Sequence, residues 1–138
     1  MKKQKSEIVP VLAAIIFNDK NEILVAKRKS YLSQGNLWEF PGGKLMVTET
    51  PEDCLKREIK EELGIEIKIK ELCCAVNHSY PQFNILLIAY RAEIIQDNFL
   101  LSDHSEIKWV PFNDLKNMPL SQADLLLVKN MANQTTAC

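Results

Sequence analysis

Apolar residues run almost without a break from Ile8 to Phe17 and again from Ile23 to Ala26, with Asn18-Asp19-Lys20-Asn21 between them. Short apolar runs flanking turn chemistry predict two buried strands joined as a hairpin. Lys27 to Gly35 is basic and polar and reads as a loop, followed by a short strand, Leu37-Trp38-Glu39-Phe40, that ends at Pro41-Gly42-Gly43. The period then changes. Leu55, Ile59 and Leu63 recur every four residues and form one stripe of a helix over 51–63. Thr50 is placed as its N-cap, Pro51 as its first helical residue, Asp53 as the third residue of a capping box, and Gly64 as its stop. Beyond it, Ile65, Ile67 and Ile69 alternate with charged residues, and Phe83 to Ile95 and Ile107 to Phe112 are strand-like. Ser121 with Asp124 opens a closing helix through Leu125 to Met131, which leaves 133–138 as a flexible tail. Strands before and after a helix, with a second helix at the end, predict the α/β class: a mixed β-sheet between helices.

The chain has 138 residues, 46% of them hydrophobic and 25% charged. That is enough to fill one core, so residues 1–138 are expected to form a single domain. A formal net charge of -1 argues against a protein that holds long nucleic acid by neutralising many phosphates. Met-Lys-Lys-Gln-Lys before the first apolar run resembles a charged leader, but Pro10 and the turn after Phe17 fit a strand better. No stretch reaches the roughly 18 to 20 apolar residues needed to cross a bilayer, so no membrane partner is expected. Cys54, Cys73, Cys74 and Cys138 form no C-x-x-C pair, and neither His78 nor His104 is spaced to complete a zinc site with them. Reduced thiols and a cytoplasmic location are the expectation.

The helix carries the candidate chemistry. Glu58, Glu61 and Glu62 stand at i, i+3 and i+4, so their carboxylates share a face beside the apolar stripe. Each like-charge pair costs about 0.2 to 0.5 kcal/mol, a penalty that a hard divalent cation reverses. The alternative is a solvated face neutralised by Lys56, Arg57 and Lys60. Just upstream, Gly42-Gly43-Lys44 brings bare backbone and a cation close to this helix, where phosphate oxygens and a metal could be held together.

Taken with the spacing, these residues resemble a known motif. Gly43, five residues, Glu49, seven residues, then Arg57-Glu58-Ile59-Lys60-Glu61-Glu62-Leu63-Gly64-Ile65 resembles the Nudix box at every constrained position. Leu37-Trp38-Glu39-Phe40-Pro41-Gly42-Gly43-Lys44 looks like the MutT branch of the Nudix hydrolases, a likeness that extends from about Val9 to about Met131. The resemblance implies a Nudix-type α/β/α sandwich. It also implies an enzyme that uses Mg²⁺ (or Mn²⁺) and water to convert a nucleoside triphosphate to the monophosphate and pyrophosphate. The implied partner is that substrate, bound by a monomer or a homodimer.

By the same resemblance, Gly42 (through its carbonyl), Glu58, Glu61 and Glu62 would hold the metal, with Arg57 and Glu49 orienting them. The general base would be Asp103, six residues before Trp109 and also a candidate metal ligand, or else Glu106; Asp103 equally suits a turn beside Ser102. Arg28 and Lys44 would contact phosphate, and Phe40, Tyr80 and Phe83 would line a nucleobase pocket, though each aromatic also suits a core. His78 and His104 match no role. Asp124 stands where the antimutator MutT has asparagine. An ionised aspartate only accepts hydrogen bonds, which favours cytosine or guanine over uracil or thymine. Pro119-Leu120-Ser121-Gln122-Ala123-Asp124 looks most like pyrophosphohydrolases of CTP and 5-methyl-dCTP. The expected substrate is therefore a cytidine nucleotide, with 8-oxo-dGTP as the alternative and a non-catalytic nucleotide-sensing domain as a third reading.

Overall fold

Residues 7–134 are described by a computed structural model. The elements are β1 (Ile8–Ile16), β2 (Glu22–Arg28), β3 (Trp38–Glu39), β4 (Gly42–Lys44), α1 (Pro51–Leu63), β5 (Glu66–Ser79), β6 (Asn84–Gln96), β7 (His104–Pro111), a 3-10 turn (Phe112–Asn117) and α2 (Gln122–Ala132). The charged start at residues 1–6 and most of the expected tail, 135–138, lie outside the described residues.

β1 reads as an unbroken apolar run because it is buried on both faces. Leu12, Ala14 and Ile16 pack with Leu55, Ile59 and Leu63 of α1, whereas Ala13 and Ile15 pack with Ala123, Leu127 and Met131 of α2. One helix therefore covers each side of the sheets, which gives the expected α/β/α arrangement. The sheets are two. A mixed four-stranded sheet has the order β4-β1-β6-β5, with β1 parallel to β6, and a three-stranded antiparallel sheet has the order β3-β2-β7.

The expected β1–β2 hairpin is corrected by this topology. Its turn exists: Asn18 Oδ1 accepts from the backbone N–H groups of Lys20 and Glu22, both at 2.9 Å, and Asn21 has φ 59°. Only the bridge Phe17↔Ile23 joins the two strands. Both edges of β1 are already taken by β4 and β6, so β2 must enter the second sheet.

The helix expected over 51–63 has those bounds, with Thr50 Oγ1 accepting from Asp53 N at 3.1 Å and Gly64 closing it at φ 73°. Its last carbonyls, which a helix leaves without internal partners, accept from the segment before β7. Leu100 N donates to Leu63 O at 2.8 Å and Ser102 N to Glu62 O at 3.1 Å, which lays Asp103 beside α1. A second seam fixes α2. Trp38 N donates to Pro119 O and Ser121 N to Trp38 O, bringing the start of α2 against β3.

Candidate active site

These seams surround a cavity of about 470 Å³. Gly42, Gly43, Lys44, Glu58 and Glu62 line it, together with Arg28 and Glu39 and with Phe40, Tyr80, Phe83 and Asp124. The structure thus brings most of the residues expected from the sequence into one wall. Glu49, Arg57, Glu61, Asp103 and Glu106 stand outside it.

Arg57 organises the acidic face. Its Nε and Nη2 both donate to Glu49 at 2.8 Å, and its Nη1 donates to Glu58 at 2.8 Å and to Glu61 at 3.4 Å. Glu49 also accepts from Met46 N, so the loop before α1 is tied to the helix through one guanidinium. These bonds, Arg57 foremost, hold the Glu49 carboxyl down to about 2. Glu61 is 62% exposed, and among the described residues no three acidic, histidine or cysteine side chains stand together in a metal-ligand arrangement. Helical spacing gave these carboxylates a shared face; the guanidinium draws Glu58 and Glu61 toward itself.

Glu62 is the exception. Its Oε2 is buried without a hydrogen-bond partner. Burial, followed by the charges of Glu39 and Glu58, pushes its carboxyl up to about 8, against the Gly42 N–H, which favours the ionised form. Gly43 completes the picture, because a Cβ there would collide with the Glu58 carboxylate. An orphaned carboxylate oxygen, repelled by its neighbours and backed by bare backbone, fits a hard divalent cation. Cys54, beneath this face, is inert by contrast: burial pushes its thiol up to about 12, and Sγ sits 3.3 Å from Lys44 O.

Among the remaining wall residues, Phe40 is core and wall at once, 4% exposed, with its N–H donated to Asp124 Oδ2 at 3.0 Å. Asp124 is fully enclosed, and burial pushes its carboxyl up to about 7. Ser121 makes no side-chain bond to the helix backbone, so the expected capping pair is replaced by a hydrogen bond between the Ser121 and Asp124 side chains beside the Phe40 N–H. Tyr80 and Phe83 stack with ring centroids 5.1 Å apart, and the Tyr80 hydroxyl accepts from Ala123 N.

Two residues escaped the sequence reading of the site. Glu39 lines the cavity, and its charge contributes to raising both Glu62 and Asp124. His104, given no role, is 1% exposed and places Nε2 2.8 Å from Glu39 Oε2. A lone carboxylate between Trp38 and Phe40 in an otherwise apolar strand was the available signal. His78 is also engaged, edge-on to Tyr80 at 4.5 Å and 3.3 Å from Gln122 Oε1.

A carboxylate helix set against a glycine-backed strand in an α/β sandwich is an arrangement suited to a hard cation and phosphate oxygens. Residues 12–130 match the NUDIX domain, and the chain belongs to that family as a Nudix hydrolase. Nudix hydrolases generally use divalent metal ions and act on nucleotides. The chain is 32% identical over 123 residues to a CTP pyrophosphohydrolase of Escherichia coli, covering 89% of this chain and 90% of that one. It is 33% identical over 130 residues to an 8-oxo-dGTP diphosphatase of Haemophilus influenzae, covering 94% and 95%. Among solved structures it resembles a MutT Nudix hydrolase from Burkholderia pseudomallei, with TM-score 0.79 and 27% identity over 95% of this chain and all of that one. No helix of the described residues is long and apolar enough to cross a membrane.

Proposed function

We propose that this chain hydrolyses a nucleoside triphosphate to the monophosphate and pyrophosphate, with a cytidine nucleotide, CTP or 5-methyl-dCTP, as the preferred substrate. The observation that carries the reading is one cavity that joins Glu58 and Glu62 to an aromatic pocket closed by Asp124. Glu58, Glu62 and the Gly42 carbonyl would hold Mg²⁺ or Mn²⁺, with Glu61 joining them once released from Arg57. The bound cation would supply charge neutralisation on the polyphosphate and a more acidic water. Arg57 and Glu49 orient the carboxylates, and Arg28 and Lys44 meet the phosphates. Asp103, held beside Glu62, suits the task of taking the proton from water better than Glu106, whose strand position faces Lys27 across β2 and β7. Phe40, Tyr80 and Phe83 enclose the base, and apolar faces of this kind stack on any base. Selectivity therefore falls to Asp124, whose ionised form, present above its raised value of about 7, rewards exocyclic amine donors.

Guanine N1 and N2 donors satisfy the same aspartate. That keeps an oxidised guanine triphosphate as the second reading, in line with the relatives named 8-oxo-dGTP diphosphatase. The test is pyrophosphate release, with added Mg²⁺, from a panel of CTP, 5-methyl-dCTP, 8-oxo-dGTP, UTP and dTTP. The expected order puts the cytidine nucleotides first. Equal turnover of CTP and UTP would remove the cytidine assignment, and no turnover of any triphosphate would remove the triphosphate reading.

A further inference from the structure

Glu39, Arg28 and His104 come from the three strands of the smaller sheet. β2 and β7 pair Lys27 with Glu106 but Arg28 with His104, so Ser105 is an extra residue that bulges β7. Bulges re-aim side chains beside functional sites, and here His104 is buried while Asp103 and Ser105 on either side are exposed. Glu39 Oε2 lies 2.8 Å from His104 Nε2 and 3.4 Å from Arg28 Nη1. Arginine can only donate, so Oε2 is an acceptor and Nε2 carries the hydrogen. His104 Nδ1 is left buried without a partner. Among the described residues the only partner of the imidazole is therefore at Nε2, and a leucine there would remove that contact together with the unpartnered nitrogen. Arg28 is also held from its other edge, Nε donating to Ser33 O at 2.8 Å. Nη2 is thereby left for the cavity that Arg28 lines.

We propose that His104 is a positioning residue which, through Glu39, fixes the Arg28 guanidinium in the cavity wall so that it meets the polyphosphate in one orientation. Glu39 stands near both Glu62 and Asp124, which repel it when ionised, and the buried imidazole anchors it. A planar guanidinium recognises phosphate by direction as well as charge, so its orientation bears on affinity. This rests on the reading of the cavity as a polyphosphate site.

The test is a double-mutant cycle on the full chain, reading tripolyphosphate affinity by calorimetry in Mg²⁺, alongside KM and kcat for the best triphosphate of the panel. His104→Leu is expected to weaken tripolyphosphate binding about tenfold, the size of one misdirected charge-assisted hydrogen bond. KM should rise by a like factor while kcat changes little. His104→Gln, which can present a donor where Nε2 stands, should recover most of the loss. In an Arg28→Ala background, His104→Leu should cost nothing further. Unchanged affinity in His104→Leu, or the same loss with and without Arg28, would overturn the proposal. His104→Phe, which keeps a flat ring, replaces the leucine variant if that does not fold; collapse of both would give His104 a purely structural role and equally overturn it. Wild-type protein that binds tripolyphosphate yet hydrolyses none of the triphosphates would remove the triphosphate-hydrolysis reading alone.

Discussion

A carboxyl group enclosed against a backbone N–H, as Asp124 is, resists ionisation because burial removes its water while Phe40 N and Ser121 restore only part of that solvation. Its folded value of about 7 lies above the 3.8 of an ordinary aspartate. Between these values the folded chain holds a proton that the unfolded chain has released. The contribution to stability is therefore full below about pH 4 and is lost as pH rises through about 7. It is worth up to roughly 4 kcal/mol across that window at 1.36 kcal/mol per unit. Asp124→Asn keeps an acceptor for Phe40 N and removes the titration. Urea unfolding at pH 5 and 8.5 should show the wild type losing more stability with pH than the variant; parallel losses would contradict this origin. Glu62 makes the complementary case, since its unpartnered oxygen is costly to the fold and useful only to a ligand. Glu62→Gln should lower kcat by at least a hundredfold while leaving the urea midpoint at pH 8.5 equal to or above that of the wild type. A variant that is fully active, or one that is unfolded, would contradict it.

At the scale of one element, α1 separates holding the fold from doing the chemistry. Thr50 only caps the helix, so Thr50→Ala should cost about 1 kcal/mol in stability with kcat unchanged. Arg57 is a third exposed, and solvent screening leaves its ion pairs little weight in the fold. It nonetheless sets where Glu49, Glu58 and Glu61 lie, so Arg57→Ala should lower kcat about 10- to 100-fold with little change in melting temperature. Equal effects of the two substitutions on activity would erase the distinction. This element was also the most legible in the sequence, because its signals are local: a cap, a proline, a four-residue apolar period and a stop all lie within one stretch of chain. The β1–β2 pairing was misread because strand edges are filled from a distance, in this case by β4 and β6. The same reason hid His104. Its partner Glu39 lies 65 residues away, joined to it by a bulge that no local pattern announces.

For the molecule as a whole, two helices on opposite sides of the sheets leave one place where the acidic face of α1, the segment from β3 to β4 and the start of α2 converge. The closeness of Gly42-Gly43-Lys44 to α1 was readable along the chain, but the backbone seams that hold β3 to the start of α2 and the segment before β7 to α1 were not. These seams are backbone bonds, such as Ser102 to Glu62 and Trp38 to Pro119, and they carry no side-chain signature. Convergence also couples the Glu62 proton to whatever fills the cavity. With its carboxyl raised to about 8, Glu62 is mostly protonated at neutral pH, whereas a cation requires the ionised form. Binding of Mg²⁺ at pH 7 should therefore release close to one proton, and apparent affinity should climb with pH up to about 8 and then level off. Calorimetric titration in two buffers of different ionisation enthalpy measures that proton directly. Glu62→Gln, having no proton to give there, should show weaker binding with no release. Mg²⁺ affinity that is the same in Glu62→Gln as in the wild type would mean that the cation settles elsewhere than on Glu62, and the metal assignment to this face would fail.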